Sequence, residues 1–560
     1  MLRWAFSISE SGEETDYMIL MAGFLEVLFK ALILIGMAFS VGGIIFALTV
    51  LHPGRNRSDT DRRAIVGVLR LVLGGAVLVA VCQLMSLLVE PWALADEMGR
   101  WPLGAFLETG FARAGLVRAA LALCLAALSI GLLKRPFSKA IWAAIIVTAA
   151  LLMASGAWMV HAISRLEDVL PLAVCTVLHQ LGAIMWIGGL AHLTALRRLT
   201  HENTWAGEDW PELLTRFSPL AMLSVAILVT TGTYLAFRYI GSLGGFVGTA
   251  YGAMVLTKMA MLGSMLLLGA MNFFFIRRWR REFDRREIDS LTPAFAEVEA
   301  ATGMIIILAA SALTSQPPSV DVQAGRATFT EVINTFAPKL PQLTPPVFRD
   351  MLAASASSLD PFSIPGVLDR VQSNFNHNIA GLLVLMTGCC AMLDRTGKVR
   401  PARHWPLLFL LLGLFLLLFG EPNGWPFGYE GFWETLVSPG VLQHRLATML
   451  VFFLAFFEWR VHVGESPGNH RWRYVFPLLC AAGGALLLTH SHSPFVSKWA
   501  YLIEVSHNAI GFLAVLMGIG RWLELRLSPP ANRLPGFLWT ACMILVGLVL
   551  LFYRELPPGR

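Results

Sequence analysis

Long apolar runs alternate with short polar segments along the whole chain. A membrane-spanning helix needs about 20 apolar residues, because it rises about 1.5 Å per residue across a hydrocarbon core of about 30 Å. Fourteen runs have this length, near residues 24–51, 64–89, 114–133, 139–160, 169–196, 217–240, 252–276, 296–315, 376–393, 404–421, 439–460, 473–489, 499–522 and 534–553. The pattern predicts an all-α, polytopic integral membrane protein with about 14 transmembrane helices.

The spacing of these runs divides the chain into three parts. The first eight runs predict an eight-helix membrane domain over residues 1–320. Residues 321–374 are more polar and carry a Pro-Pro pair at Pro345, so they predict a small extramembrane insert. The last six runs predict a six-helix C-terminal membrane domain over residues 375–560.

Composition and charge agree with a membrane protein. Of the 560 residues, 56% are hydrophobic and 14% are charged, and the mean hydropathy is +0.64, which is too apolar for a dispersed soluble globule. The net charge of +6 could indicate a nucleic-acid partner. The basic residues lie in short loops between apolar runs, however, so the expected partner is the lipid bilayer and not nucleic acid.

Lysine and arginine accumulate in every second loop. Loops rich in these residues stay on the cytoplasmic side. The basic groups are Arg55, Arg57, Arg62 and Arg63; Lys134, Arg135 and Lys139; Arg277, Arg278, Arg280, Arg281, Arg285 and Arg286; Arg395, Lys398, Arg400 and Arg403; Arg471 and Arg473; and Arg521 and Arg526. This alternation predicts that both termini and the insert are periplasmic.

Several histidines fall at similar heights near the predicted outer helix ends. Asn376-His377-Asn378-Ile379-Ala380-Gly381 and Ser506-His507-Asn508-Ala509-Ile510-Gly511 share an HNxxG pattern, and each is followed by a later glycine, which indicates an internal repeat. His444 begins the helix between them. Glu504 precedes His507 by one helical turn, so its carboxylate is a candidate co-ligand or orienting group for that imidazole.

A second group of candidate ligands lies in the first block. His179 falls near mid-bilayer, where an ionisable side chain is functional by default. Met159 and His161 end the preceding helix, and thioether and imidazole groups suit monovalent copper. The predicted metal-binding residues are therefore His179, His161, Met159, His377, His444, His490, His492, His507 and Glu504.

Other interpretations of these residues stay open. Methionine and cysteine in membrane helices are most often packing residues, and His490 and His492 could be solvated residues of a Ser-rich turn. Two of His377, His444 and His507 could ligate a b-type haem instead of copper. No P-loop, Rossmann glycine pattern or serine-hydrolase elbow occurs in a credible context, so no catalytic residue and no enzyme activity is predicted.

Four segments of the first block resemble the copper resistance protein D family over about residues 20–320. They are HQLGAIMWIGGL from His179, FSPLAMLSVAILVTTGTYLAF from Phe217, TAYGAMVLTKMAMLGSMLLLGAMNFFFIRR from Thr249, and the helix from Glu299 to Pro318 that ends in SQPP. The resemblance implies an inner-membrane protein that moves copper between periplasm and cytoplasm, often with a small periplasmic copper-binding protein.

The resemblance extends to single residues of the first block. They are His179, Trp186, Gly188, Gly189, Tyr251, Lys258 and Asn272. His179 is the expected ligand, the glycines are expected to allow close helix approach, and Lys258 and Asn272 to tie helices together. Glu299 is expected at the membrane interface. The six helices after residue 375 are a departure, because short family members lack them.

The function predicted from these observations is copper binding and transport across the bacterial inner (plasma) membrane, from periplasm to cytoplasm, in copper homeostasis or resistance. His377, His444, His490 and His492 would capture the ion, and Met159, His161 and His179 would pass it inward. The alternatives are a haem-binding electron-transfer protein that uses the C-terminal histidines, and an assembly factor that delivers copper without net transport.

Overall fold

The structure is all-helical. The computed structural model describes residues 13–52, 59–98, 101–156, 169–201, 210–282, 286–322, 325–347, 366–421, 424–428, 431–436, 439–463, 472–488 and 498–555. These ranges contain no strand. The chain is thus an all-α, multi-pass membrane protein, as the apolar runs predict.

The long apolar helices follow the predicted runs closely. In chain order they are α1 (Glu13–Phe46), α2 (Asp59–Met98), α3 (Gly110–Lys134), α4 (Lys139–Ser155), α5 (Val169–His201), α6 (Trp210–Ile240), α7 (Ala250–Glu282), α8 (Thr292–Leu313), α9 (Val367–Arg395), α10 (Leu408–Phe419), α11 (Pro439–Val463), α12 (Val475–Leu488), α13 (Lys498–Arg526) and α14 (Arg533–Leu551). In the described ranges, twelve helical segments are long and apolar enough to span a membrane, whereas Lys139–Ser155 and Trp472–Leu488 are shorter. The count of 14 spans stays a prediction.

Glycines of the α5 signature segment allow close helix approach. A Cβ added at Gly188 would lie 2.1 Å from the carbonyl oxygen of Ala38 on α1, and one at Gly189 would lie 2.3 Å from the Phe217 ring on α6. Any larger side chain would force these helices apart. Both glycines are therefore packing residues, as expected from the family resemblance.

The HNxxG repeat serves the same purpose in the C-terminal domain. A Cβ at Gly381 on α9 would lie 2.2 Å from the backbone nitrogen of Leu551, at the end of α14. A Cβ at Gly511 on α13 would lie 3.0 Å from the carbonyl oxygen of Gly484 on α12. Each HNxxG helix thus packs closely on one neighbour through the glycine of its repeat.

The two predicted membrane domains contact each other through α12 and α13. Met261 of α7 and Ala309 of α8 share one buried apolar cluster with Leu488 and Val515 of α12 and α13. At one end of this interface Arg526 of α13 forms an ion pair with Glu297 of α8, with 2.6 Å between Nη2 and Oε1. The domains form one continuous packed structure.

The helix that follows the predicted insert begins before its apolar run. The helix α9 begins at Val367 and not near residue 375, because Asp369 caps its first turn through the backbone nitrogen of Gly366. The insert contains a short helix, Phe329–Phe336, with a capping box formed by Thr328 and Glu331. Glu331 also forms an ion pair with Lys498 at the start of α13, which attaches this helix to the C-terminal domain.

Candidate functional site

His377 and His507 meet between α9 and α13. Their ring centroids are 5.7 Å apart and the ring planes are nearly perpendicular, at 89°. A metal–nitrogen bond of about 2 Å places the centroids of two imidazoles on one ion roughly 6 Å apart. We call these two residues the histidine pair. Their separation suits two imidazole ligands of a single ion.

Backbone carbonyls fix the tautomer of both rings. Nδ1 of His377 lies 2.7 Å from the carbonyl oxygen of Ser373, and Nδ1 of His507 lies 3.0 Å from that of Ile503. Each Nδ1–H donates to a carbonyl one helical turn earlier, so the lone pair of each ring is on Nε2. The acceptor that orients His507 at Nδ1 is therefore the Ile503 carbonyl and not the predicted Glu504. Glu504 itself is half-buried on α13.

The segment after α14 covers the histidine pair. The Tyr553 ring stacks on His377, with 4.1 Å between centroids and 29° between planes, and its hydroxyl donates to Glu555 at 3.3 Å. Ser373 also donates to Glu555. Burial raises the pKa of the Glu555 carboxyl, and burial beside Glu555 raises the pKa of Tyr553 well above its ordinary value. Tyr553 therefore remains a neutral phenol near pH 7.

His444, the third predicted histidine, lies at the same end of the domain. Its ring is within electrostatic reach of both His377 and His507. Its Nδ1 lies 2.5 Å from Oε1 of Glu421, and its side chain is 52% exposed. The structure thus brings the three C-terminal histidines together, with His444 at the solvent-accessible edge.

His179 lies apart from this group, between α5 and α6. Its Nδ1 is 3.0 Å from the hydroxyl of Thr231. That hydroxyl donates to the Ile227 carbonyl at 2.6 Å, so it accepts from Nδ1–H of His179 and leaves the lone pair on Nε2. Gly232 faces the ring, where a Cβ would lie 3.1 Å from Cε1. The threonine and the glycine therefore position His179 as a nitrogen donor.

The remaining predicted ligands cannot be placed. Met159, His161, His490 and His492 lie outside the described residues. Within the part of the chain that the structure describes, no group of three or more His, Cys, Asp or Glu side chains is arranged to hold a metal ion. The histidine pair is accordingly a two-nitrogen arrangement, and His179 is a single donor.

A buried carboxyl group lies in the first block, where the sequence did not indicate one. Glu299 is only 2% exposed and Asn272 6%, and the Asn272 amide donates to Glu299 Oε1 at 2.5 Å. The expected interfacial position of Glu299 is wrong, because the side chain points between α7 and α8 and not toward the membrane surface. Asn272 does tie two helices together. Glu299 lies about two turns inside α8 but only three residues inside the predicted apolar run, so hydropathy alone places it near the helix end.

Comparison with known proteins finds similarity to a family and a protein named for copper resistance and copper transport. Residues 211–313, which form α6, α7 and α8, match the family model described as copper resistance protein D. The copper transport protein CutJ of Bacillus subtilis (strain 168) is 28% identical over 302 residues, which are 51% of this chain and 52% of that protein. The chain is thus similar to copper resistance protein D over this segment, and to the copper transport protein over about half its length. The chain spans about half the length of this curated relative, and no solved structure matches.

The copper resistance protein D match includes some of the polar residues described above and leaves others out. Thr231, Lys258, Asn272 and Glu299 lie inside the matched segment, whereas His179 and the histidine pair lie outside it. The similarity to copper resistance protein D is therefore a similarity of the α6–α8 segment.

Proposed function

We propose that the chain transports copper across the bacterial inner membrane, from periplasm to cytoplasm, and that the histidine pair binds the ion on the periplasmic side. The observation that supports this function is the meeting of His377 and His507, with the lone pairs on Nε2, in a chain related to copper resistance proteins. Imidazole nitrogen is a suitable copper ligand, and two such donors satisfy the low coordination number of monovalent copper.

The surroundings of the pair support reversible binding. The Nδ1 bonds to Ser373 and Ile503 hold the rings without using a metal-ligating nitrogen, and such outer hydrogen bonds orient ligands and raise their basicity. His444 is more exposed than His377 and His507. In this proposal His444 meets the ion first and the buried pair holds it, with His490, His492 and Glu504 as further periplasmic ligands.

The inward step is assigned to the first domain. His179 presents Nε2 as a donor because Thr231 accepts from Nδ1, and Met159 and His161 are proposed to precede it along the path. A small periplasmic copper-binding protein is the proposed source of the ion. Delivery to another protein without net transport is the alternative within the same chemistry, and no catalytic residue is proposed.

The test is copper accumulation in cells that express the full chain. We expect His377→Ala/His507→Ala to lower accumulation to the level of cells without the protein. Tyr553→Phe is the matched control, because it keeps the ring stacked on His377 and removes only a hydroxyl that is not a proposed ligand. Undiminished accumulation in the double variant, at equal protein levels, would refute the assignment of the pair to copper.

A haem-binding role is the second candidate, because the same spacing of His377 and His507 suits bis-imidazole ligation. It predicts haem absorbance and one iron per chain in the purified protein. Loss of that absorbance in His377→Ala/His507→Ala, with no effect on copper accumulation, would favour haem over copper.

A further inference from the structure

A polar cavity lies at the opposite end of the helices that carry the histidine pair. It has a volume of about 260 Å³ and is lined by Ala391, Asp394, Arg395, Trp405, His462, Arg521, Glu524 and Trp539. His377 and Asp394 both belong to α9. Asp394 follows His377 by 17 residues, which corresponds to about 25 Å along a helix. The positive loops predict that this end faces the cytoplasm.

The cavity wall is a buried network of charges. Arg521 bonds to Glu458 at 2.6 Å and to Glu524 at 2.8 Å, and Arg395 pairs with the same Glu524. Glu458 is 1% exposed and Arg521 7%. Arg395 and Arg521 were expected to be cytoplasmic loop residues. The structure instead buries Arg521 and half-buries Arg395, each beside a carboxylate.

His462 completes this network on α11. Its Nε2 lies 2.9 Å from Oδ2 of Asp394, and its Nδ1 lies 3.5 Å from Oε1 of Glu458. A neutral imidazole carries one N–H and one lone pair, so it presents an N–H to only one of these carboxylates, whereas an imidazolium presents an N–H to both. The arrangement therefore favours a ring that takes up an extra proton.

The charges support the same conclusion. We call Asp394, Arg395, Glu458, His462, Arg521 and Glu524 the Arg521 cluster. Its two guanidinium groups face three carboxylates, which leaves one negative charge that a single proton on His462 neutralises. In the described part of the chain, the other titratable group that faces the cluster is Cys480 of α12, and an uncompensated buried charge is strongly unfavourable.

The cluster has polar atoms that need a partner from the cavity. Nε of Arg395, Nε of Arg521 and Oε2 of Glu458 are buried and have no hydrogen-bond partner within the described ranges. Buried polar atoms of this kind are normally satisfied by water. Arg395 and Arg521 both line the cavity, so water there would connect His462 with solvent.

We propose that the Arg521 cluster is a proton-binding site, in which His462 takes up one proton from water of the cavity and returns it there, and that this exchange is coupled to copper movement. The coupling rests on the proposed function, whereas proton binding does not. In the protonation step water or hydronium loses the proton and one imidazole nitrogen gains it. The cluster then changes from one net negative charge to neutral.

Proton binding is tested first, without copper. The Trp405 ring meets His462 edge-on with 5.6 Å between centroids, and a protonated imidazole quenches nearby indole fluorescence. We expect the purified protein to show a titration step in tryptophan fluorescence that His462→Gln removes and His404→Gln retains. His404 is the matched control, because it lies beside Trp459 at 3.3 Å and outside the cluster. An unchanged step in His462→Gln would overturn the proposal.

Coupling is tested in proteoliposomes that contain a pH-sensitive dye. Monovalent copper is added outside, and copper uptake and internal pH are followed in the same sample. We expect a copper-dependent pH change in the wild type, and a loss of at least ten-fold in that change per copper ion in His462→Gln. Equal proton flux per copper ion in the two proteins would overturn the coupling.

The His462→Gln variant cannot neutralise the net negative charge of the Arg521 cluster, and this charge could cause misfolding. A second variant controls for that effect. Glu458→Gln/His462→Gln retains two carboxylates for two guanidinium groups, so its cluster is neutral, and the same loss of the pH change is expected. Absence of copper uptake in the wild type would refute the proposed function instead, and the fluorescence titration would still decide whether the proton site exists.

Discussion

Asn272→Leu tests the buried polar contact in the family-matched segment. The Asn272 amide donates to Glu299 at 2.5 Å, and neither side chain is more than 6% exposed. Leucine has a similar volume, so the change removes the donor without opening a large cavity. A buried hydrogen bond contributes about 0.5–1.5 kcal/mol, and a buried acceptor left without its partner costs about 1–3 kcal/mol. We expect the free energy of unfolding to fall by about 1–3 kcal/mol.

The assay is reversible unfolding in mixed detergent micelles, arranged as a double-mutant cycle with Glu299→Met. Because the double variant leaves no unpaired polar group, it is expected to recover at least about 1 kcal/mol relative to the sum of the single variants. Thr233→Val is the control, since this exposed hydroxyl bonds only to Val229 of its own helix, and a change within about 0.5 kcal/mol is expected. Additive single effects, or an Asn272→Leu effect no larger than that of the control, would refute the reasoning.

Three further predictions concern single contacts. Gly381→Val should separate α9 from α14, because its Cβ would lie 2.2 Å from the backbone of Leu551. We expect lower thermal stability in this variant. Gly74→Val is the control and should not show this loss, because a Cβ there meets nothing within 4 Å. Thr231→Val should remove the hydrogen-bond acceptor of His179 Nδ1. We expect the free energy of unfolding to fall by about 1 kcal/mol and copper uptake to decrease. Unchanged uptake would argue against His179 as a ligand. Hydrogen bonding to Lys498 lowers the pKa of Glu331 to about 2. The ionised carboxylate therefore stabilises the insert helix fully at any pH above the ordinary pKa of a glutamate. This stabilisation is lost as the pH falls from that value toward 2. Lys498→Gln should therefore speed hydrogen exchange of that helix at pH 7; equal exchange rates would contradict this.

Most of the fold could be predicted from the sequence, because a bilayer imposes one length on every crossing helix. The α7 and α14 runs were located within a few residues, and the differences occur where polar turns extend a helix beyond the bilayer. The start of α9 at Val367 is an example. A capping residue, and not hydropathy, sets that boundary, so the apolar run alone places the helix start too late.

The histidine pair was predictable for a different reason. The HNxxG repeat gives His377 and His507 the same distance from a packing glycine, and the glycines place both helices in close contact with their neighbours. Both α9 and α13 pack on α14, and the two rings meet beside it. Every helical histidine has a backbone carbonyl one turn earlier. The sequence therefore does not indicate whether that carbonyl or a side chain accepts the hydrogen bond from Nδ1.

The Arg521 cluster could not be predicted in the same way. Its members come from α9, α11 and α13, and each basic member lies beside loop arginines that satisfy the positive-inside pattern equally well. Only the tertiary packing distinguishes Arg395 and Arg521 from Arg400, which is exposed. Glu299 illustrates the same limit, since its burial depends on α7 lying against α8.

Metal content tests the central claim most directly. The full chain is purified in detergent from cells grown with copper and iron, and both metals are measured per chain by elemental analysis in the wild type, His377→Ala/His507→Ala and Tyr553→Phe. Copper near one per chain in the wild type and in Tyr553→Phe, with little copper in the double variant and little iron in any sample, is the predicted result. Copper unchanged by the double substitution, or iron near one per chain that the substitution removes, would contradict the assignment of the histidine pair to copper.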